Sequence, residues 1–196
     1  NIDIGDKAKI KKISFIGNKI FKDRKLRGVI LSEEYKFWKF ISGKKFLNEG
    51  LIEFDNRLLT NFYLNKGYYD AKVNSSFAKL IEDNEFELIY NINSGPKFLF
   101  GDLKLKLPID YDPKSFLKLE KLLSKLKNKP YSINSIDKIL EEIEILSLDE
   151  QYESVNVQVI ENIDNNILNL TFDILETDKF FVERINIFGN NVTQES

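Results

Sequence analysis

The chain repeats itself, and that limits its folds more than any other feature. Leu88–Leu105 (LIYNINSGPKFLFGDLKL) and Leu170–Ile187 (LTFDILETDKFFVERINI) run in gapless register. Leu88 matches Leu170, Ile92 matches Ile174, Phe98 matches Phe180 and Leu103 matches Ile185, each pair 82 positions apart. A second similarity joins the two ends: ISFIGN at Ile13–Asn18 and INIFGN at Ile185–Asn190. Two matches in a consistent order describe one module, a second, and the first strand of a third. The boundaries fall at 1–95, 96–178 and 179–196.

Each module predicts the order β-α-α-β-β. Ile10–Ile16 alternates apolar and polar residues as a half-buried strand does, and Gly17-Asn18 ends it with turn chemistry. Asp23 is the expected N-cap of a short helix carrying Leu26, Val29 and Ile30. A second helix over 50–66 places Leu51, Phe54, Leu58, Leu59, Phe62 and Tyr63 on one stripe, and Gly67 stands where a left-handed cap belongs. The strand over 70–79 follows, with Val73, Ser75 and Phe77 on one face and Lys72, Asn74 and Ser76 on the other. Asn84 turns the chain into Phe86–Ile92.

In the second module Phe98–Leu107 is a strand. Asp112 caps a helix that opens with Pro113. Its inner stripe is Phe116, Leu119, Leu122, Leu123 and Leu126. A further helix after Ser132 carries Ile133, Ile136, Ile139, Leu140, Ile143 and Leu146, and the strands of Val155–Val159 and Leu168–Ile174 close the module. The fold class is α+β: tandem modules, each with two helices on a three-stranded mixed sheet.

Composition removes several kinds of chemistry. The 196 residues include no Cys and no His, so disulfides, the usual zinc and copper ligands, cysteine nucleophiles and His-based triads are absent. No Asp-rich calcium loop of the EF-hand kind occurs. The net charge of -2, from 29 basic and 31 acidic residues, gives no overall attraction to nucleic acid. No apolar run approaches the roughly 20 residues of a membrane helix. The absence of Met, even at position 1, is expected of a piece cut from a larger protein. Catalysis, a cofactor and a resident metal are not expected.

The motifs IGN (Ile16–Asn18), FGN (Phe188–Asn190), YLNKGYYDAKV (Tyr63–Val73) and INSGPKFLFGDLKL (Ile92–Leu105), at this spacing, resemble the POTRA family of outer-membrane β-barrel assembly proteins. Gly17, Asn18, Gly67, Tyr69, Gly95, Gly189 and Asn190 carry the structural part of the likeness. The aromatic link with Phe37-Trp38 resembles the third of five such domains, which makes the second module fourth-like and Phe180–Asn190 the opening of a fifth. The second module departs from the pattern. Leu107-Pro108 replaces Gly-Asn, and Asp149 stands where a glycine would end the helix before Tyr152.

The resemblance implies a non-enzymatic scaffold on the periplasmic side of the outer membrane of a Gram-negative bacterium. Its partners would be unfolded outer-membrane proteins, accessory assembly lipoproteins and a membrane barrel continuous with the chain. Nucleic acid is not among them, and the piece itself is expected to be monomeric. The second strand of the first module would lie at the sheet edge. Ala71, Lys72, Val73, Asn74, Ser75, Ser76 and Phe77 would then pair with an incoming backbone of any sequence. An ordinary unused edge is the bland alternative.

Phe37, Trp38 and Phe40 among lysines form a candidate partner-docking surface, weighed against simple capping of the core. Lys114, Lys118, Lys121 and Lys125 read as a solvated helix face. Glu33-Glu34 and Glu141-Glu142 do not make a glycosidase pair, because adjacent helical positions do not face each other. Rival readings are a TamA-like assembly factor, a two-partner secretion transporter and, in another class, an RNA-binding α+β module, which would want a basic sheet face with stacking aromatics.

Overall fold

A computed structural model describes residues 8–36, 43–149 and 155–175. The chain divides into two units, Asn1–Pro96 and Lys97–Ser196.

In the first unit the alternating segment forms β1 (Lys9–Asn18), with Ile10, Ile13 and Phe15 buried. The short helix α1 (Asp23–Arg27) then buries Leu26. Asp23 does not cap it. The capping position falls to Lys22, which makes no side-chain cap bond, while Asp23 pairs with Lys19. Val29 and Ile30 lie beyond the helix end. Helix α2 (Glu49–Leu64) is capped by Asn48, whose side chain accepts the Leu51 amide at 2.8 Å. The chain turns out of α2 at Gly67, φ +98°. The Tyr68 amide bonds back to the Tyr63 carbonyl at 3.1 Å and the Gly67 amide to Leu64 at 3.4 Å, the paired closure of a Schellman ending. Two strands follow, β2 (Lys72–Glu82) and β3 (Glu85–Asn93), joined by a turn with Asn84 at φ 56°.

The sheet order is β1-β3-β2, with β1 parallel and β2 antiparallel to the central β3. Leu88, Tyr90 and Ile92 of β3 share one core with Leu59 and Tyr63 of α2, so the helices cover that face. Each fully buried side chain of this size stabilises by about 1.5–3 kcal/mol. Phe54, placed on the α2 stripe by its spacing, is 40% exposed; Asp55 is the buried neighbour.

Asp55 is buried completely. Its carboxyl accepts the Leu31 amide at 2.6 Å, the Ser32 amide at 3.1 Å and the Tyr90 hydroxyl at 2.8 Å. Burial, and then the bond to Asp55, pushes the Tyr90 hydroxyl far above its ordinary pKa. One side chain thus ties α2 to the central strand and to the segment leaving α1. That segment runs beside β1. Tyr35 donates its amide to the Ile10 carbonyl at 2.6 Å, and Glu34 accepts the Ile13 amide at 3.1 Å. Leu47 adds its amide to the Ala8 carbonyl at 3.0 Å, and Arg27 donates to the Ile13 carbonyl at 3.1 Å. The outer margin of β1 is closed over Ala8–Ile13 by the unit's own residues.

The second unit has the same plan. Strand β4 (Leu99–Lys106) is followed by α3 (Leu117–Leu126), α4 (Ile133–Asp149), β5 (Asn156–Asp164) and β6 (Ile167–Leu175), with sheet order β4-β6-β5. Asp112 caps a short 3-10 turn opened by Pro113, its side chain accepting the Lys114 amide at 3.0 Å. Phe116, Leu119 and Leu123 are buried, whereas Leu122 is exposed. Every second residue of β6 from Leu168 to Ile174 is buried. Asn165 and Asn166 both take positive φ in the tight β5–β6 turn. Asp149 does not take a left-handed cap; it continues α4. Strand β4 ends before Leu107-Pro108, and the Pro108 carbonyl accepts the Tyr111 amide at 3.2 Å.

Two predictions follow from this packing. Gly17 has φ +86°, and a Cβ there would run into the Asn91 side chain and the Ile92 carbonyl of β3. Gly17→Ala should therefore destabilise the first unit by about 1–3 kcal/mol, read as faster amide exchange in β1 and β3 with β5 and β6 unchanged. Asp55→Ala leaves three donors without their partner and should cost about 2–4 kcal/mol, against about 1 kcal/mol for Tyr90→Phe. In urea unfolding the Asp55 variant should also lose protection at Leu31, Ser32 and Tyr35 first.

Candidate peptide-binding edge

Strand β2 is the opposite margin of the first sheet, and among the described residues it pairs with β3 alone. Its position follows from the turn chemistry: a two-residue connection at Asp83-Asn84 folds it back on β3 as a hairpin arm. The strand begins at Lys72. Ala71, expected within the binding edge, precedes it: the residue is buried and its amide bonds to the Tyr68 carbonyl at 3.1 Å.

The face assignment also differs from simple alternation. The register shifts between Val73 and Ser75, so Asn74 is bulged and the side chains of Ser75–Leu80 change face, until a second shift between Leu80 and Glu82. Val73 stands opposite Ile92 and packs on the core. Ser76 stands opposite Tyr90, and its hydroxyl accepts the Asn56 side-chain amide of α2 at 3.0 Å. Ser75 and Phe77 stand opposite Asn91 and Ile89 and face away from the helices. The grouping of Val73 with Ser75 and Phe77 is therefore corrected: Val73, Ser76, Ala78 and Leu80 share the helix side.

Beyond Ser76 the helix layer no longer covers β2. Ala78 through Glu82 are exposed, with Leu80 at 60% and Ile81 at 45%. On the other face Phe77 is 46% exposed beside buried Ile89, and Ile16 of β1 is exposed on that same face. Charge frames this apolar strip. Glu87 accepts from Lys12 at 2.8 Å and from the Ser14 hydroxyl at 2.5 Å, and it lies opposite Lys79 in register. The bond from Lys12, then that from Ser14, holds the Glu87 carboxyl below its ordinary pKa. The strand thus offers unpaired backbone, apolar side chains on both faces and paired charges nearby. It can hold another extended chain; among the described residues no group of acids that could hold a metal occurs.

Of the motif residues, Gly17 and Gly67 take left-handed conformations, and so does Gly95, φ +62°, whose Cβ would meet the Asp70 side chain. Asn18 ends β1 opposite Asn93, and Tyr69 is half-buried. Phe37, Trp38, Phe40, Gly189 and Asn190 lie outside the described residues. In the flanks of that aromatic link, the Tyr35 and Phe46 rings are 6.5 Å apart and Lys45 is buried with its ammonium 5.1 Å from the Tyr35 ring. Lys114, Lys121 and Lys125 are exposed, and Lys118 pairs with Glu142 at 3.0 Å.

Comparison with known proteins agrees with this architecture. Residues 8–95 match the family described as POTRA, surface antigen variable number repeat. The outer membrane protein assembly factor BamA of Neisseria meningitidis serogroup B is 29% identical over 197 residues, covering 99% of this chain and 24% of that protein. BamA of Neorickettsia risticii is 26% identical over 95% of this chain and 25% of its own length. The chain thus spans about a quarter of the length of these relatives. The crystal structure of Haemophilus influenzae BamA POTRA3-5 superposes with a TM-score of 0.67 at 20% identity, covering 96% of this chain and 74% of that one. Over residues 8–95 the first unit matches the POTRA family, and the second unit repeats its strand order.

Proposed function

We propose that this chain is a periplasmic part of an outer-membrane protein assembly scaffold that holds unfolded β-barrel clients by strand addition. The observation that carries the proposal is the asymmetry of the first sheet: β1 has its margin closed by the unit's own amides and carboxyl groups, while among the described residues β2 pairs with β3 alone. An added strand bonds through its backbone, so affinity depends little on client sequence. Each net hydrogen bond contributes about 1 kcal/mol, so a short client strand binds weakly and releases. That suits a station on a delivery route more than a final binding site. The likeness to BamA relatives supports the outer-membrane setting and the periplasmic side.

The function needs no covalent chemistry, metal or cofactor. The modules are assigned to 1–95 and 96–178, with 179–196 opening a further one. Accessory lipoproteins are proposed to dock on the link that carries Phe37, Trp38 and Phe40. The edge itself consists of Lys72, Val73, Asn74, Ser75, Ser76 and Phe77, extended by the exposed Ala78–Ile81.

The test is chemical-shift mapping of the 196-residue chain with peptides from a strand of an outer-membrane barrel. The expected result is a response centred on Ser75–Ile81, weakened in Phe77→Ala. Responses elsewhere with a silent β2 would remove the edge from the proposal. Binding of single-stranded RNA that falls with salt would favour the nucleic-acid alternative instead.

A further inference from the structure

We propose that the loop between β1 and α1, residues 19–22, is a contact point for an anionic lipid bilayer, with Ile20 entering the interface inside a collar of Lys22, Arg24, Lys25 and Lys66. This goes beyond strand addition and does not depend on it, because lipid and client would engage different residues.

The loop turns one large side chain in and leaves its neighbour out. Phe21 packs edge-on against Phe62, Tyr63 and Tyr68, with ring centroids 4.9, 5.1 and 5.9 Å away. Tyr63 is fully buried, so this aromatic group fixes the loop to the core of the unit. Ile20 is left 52% exposed beside it. Apolar surface that stays in water contributes little to folding, and here it stands at an anchored tip.

Charge around the tip is of one sign. Lys22, Arg24, Lys25 and Lys66 are exposed, and among the described residues none of them pairs with a carboxylate. Lys25 and Lys66 hold their ammonium groups 5.8 and 5.9 Å from the centroid of Phe62, which brings both to the aromatic group that carries the loop. Asp23 is the acid nearest in sequence, and Lys19 neutralises it. The net charge of -2 would repel an anionic surface from the chain as a whole. Charges more than about 8–10 Å apart are screened at physiological ionic strength, so the local collar decides the approach.

The second unit supplies an internal control. Its corresponding loop also holds an aromatic residue in and an isoleucine out: Tyr111 is buried and stacks on Phe116 at 6.0 Å, while Ile109 is wholly exposed. There the isoleucine is followed by Asp110 and Asp112, not by lysine and arginine.

The occupant follows from this combination. Exposed apolar bulk ringed by cations matches an anionic headgroup layer over acyl chains. A nucleic acid would want a free aromatic face, and here the rings are packed on one another.

The test is co-sedimentation of the whole 196-residue chain with phosphatidylcholine vesicles, with and without phosphatidylglycerol. The parent is compared with Ile20→Ser, with the double variant Lys22→Gln and Arg24→Gln, and with Ile109→Ser. All four substituted residues are exposed, and matching amide exchange in β1 and β3 checks that the variants keep the parent fold. The expected result is binding that requires the anionic lipid and falls as salt rises. Ile20→Ser should weaken it roughly tenfold, and the double variant roughly 25-fold, at about fivefold for each cation. Ile109→Ser should bind as the parent does. Equal binding to phosphatidylcholine alone would overturn the proposal, as would binding that survives Ile20→Ser or the double variant. An equal loss in Ile109→Ser would overturn the choice of tip. Vesicles left unbound would overturn the proposal whether or not β2 responds to client peptides. Single-stranded RNA bound in place of vesicles would assign the collar to nucleic acid and overturn it too.

Discussion

The carboxyl group of Asp55 decides which side of the first sheet is finished. It sits without solvent in the helix layer and gathers two backbone amides and a tyrosine hydroxyl. Removing any of these donors into an apolar interior without a partner is costly, so the segment after α1 has one low-energy path. That path runs along β1 and supplies Glu34 and Tyr35 to its margin. The open edge of β2 is the complement of this closure. A three-stranded sheet has two margins, and the crossover chain passes beside only one of them.

The second unit reaches a similar asymmetry by other means. Among the described residues no carboxyl group takes the place of Asp55; backbone at Asn128–Tyr131 covers the start of β4 directly. The shared feature is topology. In both sheets the first strand runs parallel to the central one and the hairpin arm is left at the far side. The two units thus repeat a strand order without repeating the contacts that close it.

Much of this was legible in the sequence because alternation and helical spacing are direct records of burial. Leu168, Leu170, Phe172 and Ile174 alternate and are buried; Leu59 and Tyr63 lie on the predicted stripe and are fully buried. Gly17 and Gly67 stood out as turn residues, and both need left-handed backbone. What escaped was whatever depends on a partner distant in sequence. The bulge at Asn74 has no signature in its own residues, yet it moves Ser76 and Phe77 to opposite faces from those expected. Nothing in the residues around Gly101 marks the close approach of Asn169, whose side chain a Cβ there would strike. Asp55 did leave a signal, an acid four residues after Leu51 and four before Leu59 on the apolar stripe. A charged type at a core position asks for a set of donors, and periodicity alone does not name them.

The irregularities of β2 have a further consequence for solubility. An exposed hairpin arm with Phe77, Leu80 and Ile81 is the kind of surface on which copies of one protein polymerise edge to edge. Here the register breaks near Val73 and again near Leu80, leaving only Ser75–Leu80 as regular ladder. Two identical arms laid together would match over that short stretch and then fall out of phase. A flexible newcomer can adjust to each break, whereas a folded twin cannot, so the kinks sort visitors by their pliability.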